Sequence, residues 1–196
     1  MTKEIMDIEQ HPLEPFLPSN AHLLMLGSFP PQKKRWSMNF YYPNWNNDMW
    51  RIIGLIFHKD KTYFLNEAEK AFDREKIIRF LSETGIALFD TATAVRRLQD
   101  NASDKFLEII EPTNIAALLH RIPRCQAIVT TGEKATDTLC TQLSLEKPHV
   151  GDFIPFIFED RPMRLYRMPS SSRAYPLALE KKAAAYRIMY QDLQLL

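Results

Sequence analysis

Short apolar runs closed by turn residues, alternating with stretches of helical spacing, restrict this chain to very few architectures. The runs are Leu23-Leu24-Met25-Leu26, stopped by Gly27, then Ile86-Ala87-Leu88-Phe89 and Ala127-Ile128-Val129-Thr130. Strands apolar along their whole length are buried on both faces, which is how parallel strands under helices read. Between them lie helical patterns. Asn47 and Asp48 open a helix with Trp50, Ile53, Gly54 and Phe57 on one side, running to about His58. Asp73 caps a second, with Ile77, Ile78 and Leu81 inward and Gly85 as its stop. Ile115, Leu118 and Leu119 mark a third, and Ala135 and Leu139 a fourth. Leu179, Ala183, Tyr186, Tyr190 and Leu193 mark a long last one. Phe153 to Phe158 and Met163 to Arg167 read as an edge strand paired with the last core strand. Arg96-Arg97 and the polar segment from Gln99 to Asp104 read as a loop, with Ser103 capping a short helix through Ile110. The alternation predicts an α/β fold with a mostly parallel sheet and helices on both faces. Residues 1–20, with Pro12, Pro15 and Pro18, read as an extended lead-in to one domain spanning 1–196.

No apolar run approaches the roughly 20 residues a membrane helix needs. The N-terminus, mixing acids, Pro and Lys3, reads as neither a signal nor a transit peptide. Cys125 and Cys140 lack any His at ligand spacing, so free core thiols in a reducing cytoplasm are expected. No metal is expected, and an iron–sulfur cluster needs about four such ligands. A net charge of +1 does not announce nucleic-acid binding, so any DNA contact must rest on a local basic patch.

The loop after the first strand gathers the chemistry. Lys33, Lys34 and Arg35 are followed by Trp36, Phe40, Tyr41, Tyr42, Asn44, Trp45, Asn46 and Asn47. Ligands of open α/β sheets sit in the crevice outside the carboxyl ends of the strands. Aromatic plates, carboxamides and cations delivered there suit a flat, phosphate-linked ligand such as a nucleobase. Ile86 to Phe89 delivers Asp90 to the same crevice. No Gly-rich phosphate loop occurs.

Gly27-Ser28-Phe29-Pro30-Pro31, then Tyr42, Asn47 and Trp50, resemble the first motif of the uracil-DNA glycosylase superfamily, closest to its hypoxanthine-DNA glycosylase type. Gly85 to Asp90 is similar to that family's second strand, Asn101 to Phe106 to its Ser/Asp segment, and Thr131-Gly132 to its third strand end. Met168-Pro169-Ser170-Ser171-Ser172 resembles its last motif, which intercalates into DNA. The resemblance implies a three-layer α/β/α sandwich around a four-stranded parallel sheet, without a metal or organic cofactor. It also implies hydrolysis of the bond joining a deaminated base to its deoxyribose. The chain departs from many superfamily members in carrying Phe29 where they have Asn or Asp, and Ser170 where they have His or Asn. The hypoxanthine branch shares both absences.

Such an enzyme everts its nucleotide to reach the bond. On that reading Tyr42 stacks on the base and Asn47 reads its edge, a carbonyl beside a ring N–H that one carboxamide matches with two hydrogen bonds. Asn47 also reads as a plain helix N-cap, and one acceptor cannot serve both roles. Asn114 is a second amide that the resemblance suggests near the site, a catalytic candidate, and it also reads as a cap for the helix it precedes. Gly27, Ser28 and Phe29 supply backbone N–H donors, and Asp90 holds water or braces a loop. Ser170, Ser171, Ser172 and Arg173 are candidate phosphate contacts or a Ser-rich helix cap. Lys33, Lys34 and Arg35 are phosphate contacts or a solvated turn. The expected partner is DNA bearing hypoxanthine or uracil, bound by a monomer. Two other readings remain: a non-catalytic DNA-binding protein of this fold, and an α/β protein binding a small molecule.

Overall fold

The computed structural model describes residues 7–99 and 103–196. In chain order the strands are β1 (Ile8–Gln10), β2 (Leu23–Gly27), β3 (Leu65–Asn66), β4 (Ala71–Phe72), β5 (Ile86–Asp90), β6 (Ala92–Arg97), β7 (Leu107–Pro112), β8 (Ala127–Thr131), β9 (Asp152–Phe158) and β10 (Arg161–Met168). The helices are α1 (Met49–His58), α2 (Arg74–Thr84), α3 (Ile115–Arg121), α4 (Glu133–Leu143) and α5 (Leu179–Asp192).

The main sheet runs β5-β2-β8-β10-β9. Its first four strands are parallel and β9 pairs antiparallel with β10 at the edge. Every residue of β2, β5 and β8 is buried, as the apolar runs require. Edge strand β9 is only partly covered and tolerates Pro155, which a central strand would not. Right-handed crossovers from β2 back to β5, and forward from β5 to β8 and β8 to β10, set α1 and α2 on one face and α3 and α4 on the other. Helix α5 packs beside α1, so the expected three-layer sandwich forms. Asp73 caps α2 by accepting from Lys76 N–H at 3.0 Å, and Gly85 closes it in the left-handed conformation.

The lead-in and the segment after β5 differ from expectation. Residues 1–6 lie outside the described residues, but β1 pairs with β6, and β6 with β7, in a second antiparallel sheet. Phe16 bridges Leu88, so the lead-in also covers the free edge of β5. The helix expected from Ser103 to Ile110 is a single 3-10 turn, Asp104–Phe106, followed by strand β7. The pattern there has period two. Leu107 and Ile109 turn inward toward Phe29, Ala92 and Val95, while Glu108 faces out and pairs with Arg96 at 2.7 Å. Arg97, expected in a loop, is buried within β6, where it grips both Glu9 carboxylate oxygens and the Pro30 carbonyl. Of the segment compared with the family's Ser/Asp motif, Asn101 and Ala102 lie outside the described residues.

Candidate active site

An open cleft of about 1400 Å³ lies along the carboxyl ends of the parallel strands. Gly27 ends β2, Asp90 ends β5, Thr131 ends β8, and the loop after β10 brings Ser170, Ser171 and Ser172; all line the cleft with Tyr42 and Asn47. The parallel topology explains this. Each strand delivers its next residues to the same edge.

Tyr42 sits at φ +50°, a left-handed backbone uncommon for a bulky residue. Its hydroxyl shares a 2.8 Å hydrogen bond with Thr131 Oγ1, and its ring meets Trp50 edge-on at 6.0 Å. Burial, then the Asp90 charge, pushes the phenol far above its ordinary pKa, so it stays protonated. Neighbouring Tyr41 is core, donating to the Glu14 carbonyl at 2.7 Å.

Asn47 stands one residue before Asp48, the N-cap of α1, and uses half of its carboxamide there. Its Oδ1 accepts from Met49 N–H at 2.9 Å at the start of α1. The acceptor half of the carboxamide therefore serves the helix. Its Nδ2 makes no hydrogen bond among the described residues and remains a donor. The backbone around it is stitched to the last loop: Asn47 bridges Ser172, Asp48 N–H donates to Ser171 O at 2.8 Å, and Arg173 N–H to Asn46 O at 3.3 Å.

Behind this seam Asp48 is shared by three cations. Arg173 Nε lies at 3.1 Å, Lys182 Nζ at 3.5 Å and Arg51 Nη1 at 3.9 Å. The Lys182 side chain is 1 % exposed, and its ammonium also donates to Ser172 O at 2.7 Å. Arg173, its side chain still 47 % exposed, thus braces the loop. The serine hydroxyls are also used locally, Ser170 accepting from Ser172 N–H and Ser172 from Ala174 N–H, each at 3.2 Å.

Phe29 lines the cleft but is buried in the small cluster with Ala92, Val95 and Leu107. Gly27 cannot carry a side chain without conflict: a Cβ there would lie 2.6 Å from Asp90 Oδ1 and 3.6 Å from the Tyr42 hydroxyl. Ser28 is buried and hydrogen-bonded to Asp104, whose carboxyl is raised above its ordinary pKa by burial despite that bond.

Two further assignments do not come to the cleft. Asn114 is exposed, and its carboxamide accepts from Ala117 N–H at 3.0 Å as the N-cap of α3; this corrects its reading as a catalytic amide. Lys33, Lys34 and Arg35 form an exposed 3-10 turn just past Pro31, outside the cleft lining. Among the described residues no group of three or more His, Cys, Asp or Glu side chains is placed to hold a metal. Both cysteines are buried and unpaired, and burial pushes the Cys125 thiol up to about 11. Among the described residues no helix is long and apolar enough to cross a membrane.

Sequence reasoning missed His11. Its Nε2 lies 2.7 Å from Asp90 Oδ2, with both side chains under 10 % exposed. It carries no local signal, being one His in a Pro-rich lead-in. Only the long-range pairing of β1 brings it in.

No family model matches the sequence, and no curated protein matches it. Among solved structures, the chain is similar in fold to the solution NMR structure of a "putative Uracil DNA glycosylase" from Methanosarcina acetivorans. The TM-score is 0.61 at 20 % identity, covering 96 % of this chain and 99 % of that one.

Proposed function

We propose that this chain is a DNA glycosylase of the uracil-DNA glycosylase superfamily, hydrolysing the bond between a deaminated base and its deoxyribose, with hypoxanthine preferred over uracil. One observation carries the reading: Tyr42, Asn47 and the Ser170–Ser172 loop, the pieces of two separate motifs, line one cleft at the carboxyl edge of the sheet. The ordered motifs and the similar fold support it.

An everted base entering the cleft stacks on the Tyr42 ring, a contact worth about 1–3 kcal/mol. Asn47 Nδ2 donates to a base carbonyl. The same donor strengthens its bond as negative charge moves onto the departing base, and a preorganised donor of this kind contributes about 3–4 kcal/mol to the barrier. Because Oδ1 already accepts from Met49 N–H, the carboxamide reads the base mainly as a donor. Cytosine and adenine turn an amino group toward that position and leave two donors facing each other. The Ser loop closes the gap left in the duplex.

A labelled duplex with one inosine or uracil, treated with the protein and then with alkali, tests the activity. Strand cleavage is expected. A second reading, DNA binding without base release, draws on Phe29, an apolar side chain where many relatives hold a water. Duplex binding with no cleavage at excess protein selects it.

A further inference from the structure

We propose that Asp90 and His11 act as a dyad that holds and deprotonates the attacking water, with Asp90 the catalytic residue and His11 its positioning residue. The inference rests on the glycosylase reading above.

The geometry is that of a built pair. Asp90 ends β5 on the cleft wall. Its Oδ2 is taken by His11 Nε2 at 2.7 Å. Its Oδ1 lies against Gly27 and makes no hydrogen bond among the described residues. One oxygen is thus fixed and the other is left to a cleft ligand. A carboxylate on a cleft wall with one oxygen unclaimed is a ready acceptor for a water proton.

His11 is itself held from every side. Its backbone N–H donates to Thr93 O at 2.8 Å, and its Nδ1 lies 3.1 Å from Leu13 N and 2.9 Å from Leu13 O. Its ring packs against Phe29 at 5.2 Å and Phe89 at 4.6 Å. The Phe29 side chain, where relatives place a polar residue, is therefore part of the wall that seats the imidazole. The water-holding duty moves from the first loop to the end of β5, and the apolar substitution supports it.

In the proposed step the water oxygen bonds to C1′ as the C1′–N bond breaks and its electron pair leaves with the base. The water proton passes to Asp90 Oδ1, then to the departing base, which restores the carboxylate. No other reactant is required.

The test measures single-turnover base release and DNA affinity in parallel for the wild type, Asp90→Asn, His11→Ala and His11→Gln. Gln places an amide donor near the position of Nε2. Asp90→Asn is expected to slow release by about 10²–10⁴-fold, the usual contribution of a positioned acid–base group. His11→Ala is expected to slow it by at least about tenfold with DNA affinity unchanged, and His11→Gln to recover most of the rate. A wild type that releases no base overturns the glycosylase reading and this inference with it. Wild-type release with His11→Ala equally fast, or with His11→Gln as slow as His11→Ala, overturns the dyad alone.

Discussion

Asn47 and Ser172 face each other in an antiparallel bridge. The start of α1 and the loop after β10 are thereby one continuous wall of the cleft, although they come from opposite ends of the chain. The carboxamide and the serine loop cannot move independently. Lys182 and Asp48 lock the seam from behind.

The phenol ring and its hydroxyl have separable duties. Tyr42→Phe loses only the bond to Thr131, while Tyr42→Ala loses the stacking surface. Base release should fall little in the first. In the second it should fall by the equivalent of about 1–3 kcal/mol, some 5- to 150-fold. Single-turnover kinetics on both variants decide this, and equal losses would show that the hydroxyl rather than the ring matters.

Gly27→Ala tests the crowding at the cleft floor. The new methyl would stand 2.6 Å from Asp90 Oδ1, and the 2.7 Å contact with His11 prevents the carboxylate from swinging away. A cost of about 1–3 kcal/mol in denaturant unfolding, with loss of base release, is expected from overpacking. Unchanged stability would mean Asp90 is free to move.

Asp104 makes stability depend on pH. Burial first, then the Asp90 charge, raise its carboxyl above the ordinary 3.8. Between 3.8 and that raised value the folded chain holds a proton the unfolded chain has released. Its contribution therefore falls as pH rises through this window, and the loss is complete above it. Asp104→Asn should unfold at higher urea than the wild type at pH 7, with the difference vanishing below the ordinary carboxylate range. A wild type that gains at pH 7 over the variant would reverse the sign.

The cation cluster should be asymmetric to mutation. Asp48→Asn strands Lys182 and Arg51 without their carboxylate and should cost about 3–5 kcal/mol, as breaking buried pairs does. Lys182→Met, which removes the buried charge and keeps the stem, should cost less. Urea unfolding of both ranks them.

Much of this fold is local in origin and therefore readable. The all-apolar runs of β2, β5 and β8, the Asp73 cap and the Gly85 stop each encode their own structure. The second sheet is not local. Leu107 and Ile109 have a strand period over too few residues to outweigh the Ser103 cap signal, and only pairing with β6 decides the matter. For the site, the motif residues reach one cleft because parallel strands end at one edge. His11 was invisible because its role comes from a partner in β5, and Asn114 misled because a carboxamide before a helix looks the same whether it caps or binds. Tyr42's left-handed backbone has no sequence sign at all.

The central claim is that the Asn47 carboxamide donates to an everted base. Asn47→Asp keeps the acceptor for Met49 N–H at the start of α1 and removes the donor, so folding and catalysis separate. Base release from inosine- and uracil-containing duplexes, followed chromatographically with protein in excess, should occur in the wild type. In Asn47→Asp at unchanged melting temperature it should fall by about 10²–10³-fold. Equal release by both proteins would contradict the account, as would no release by either.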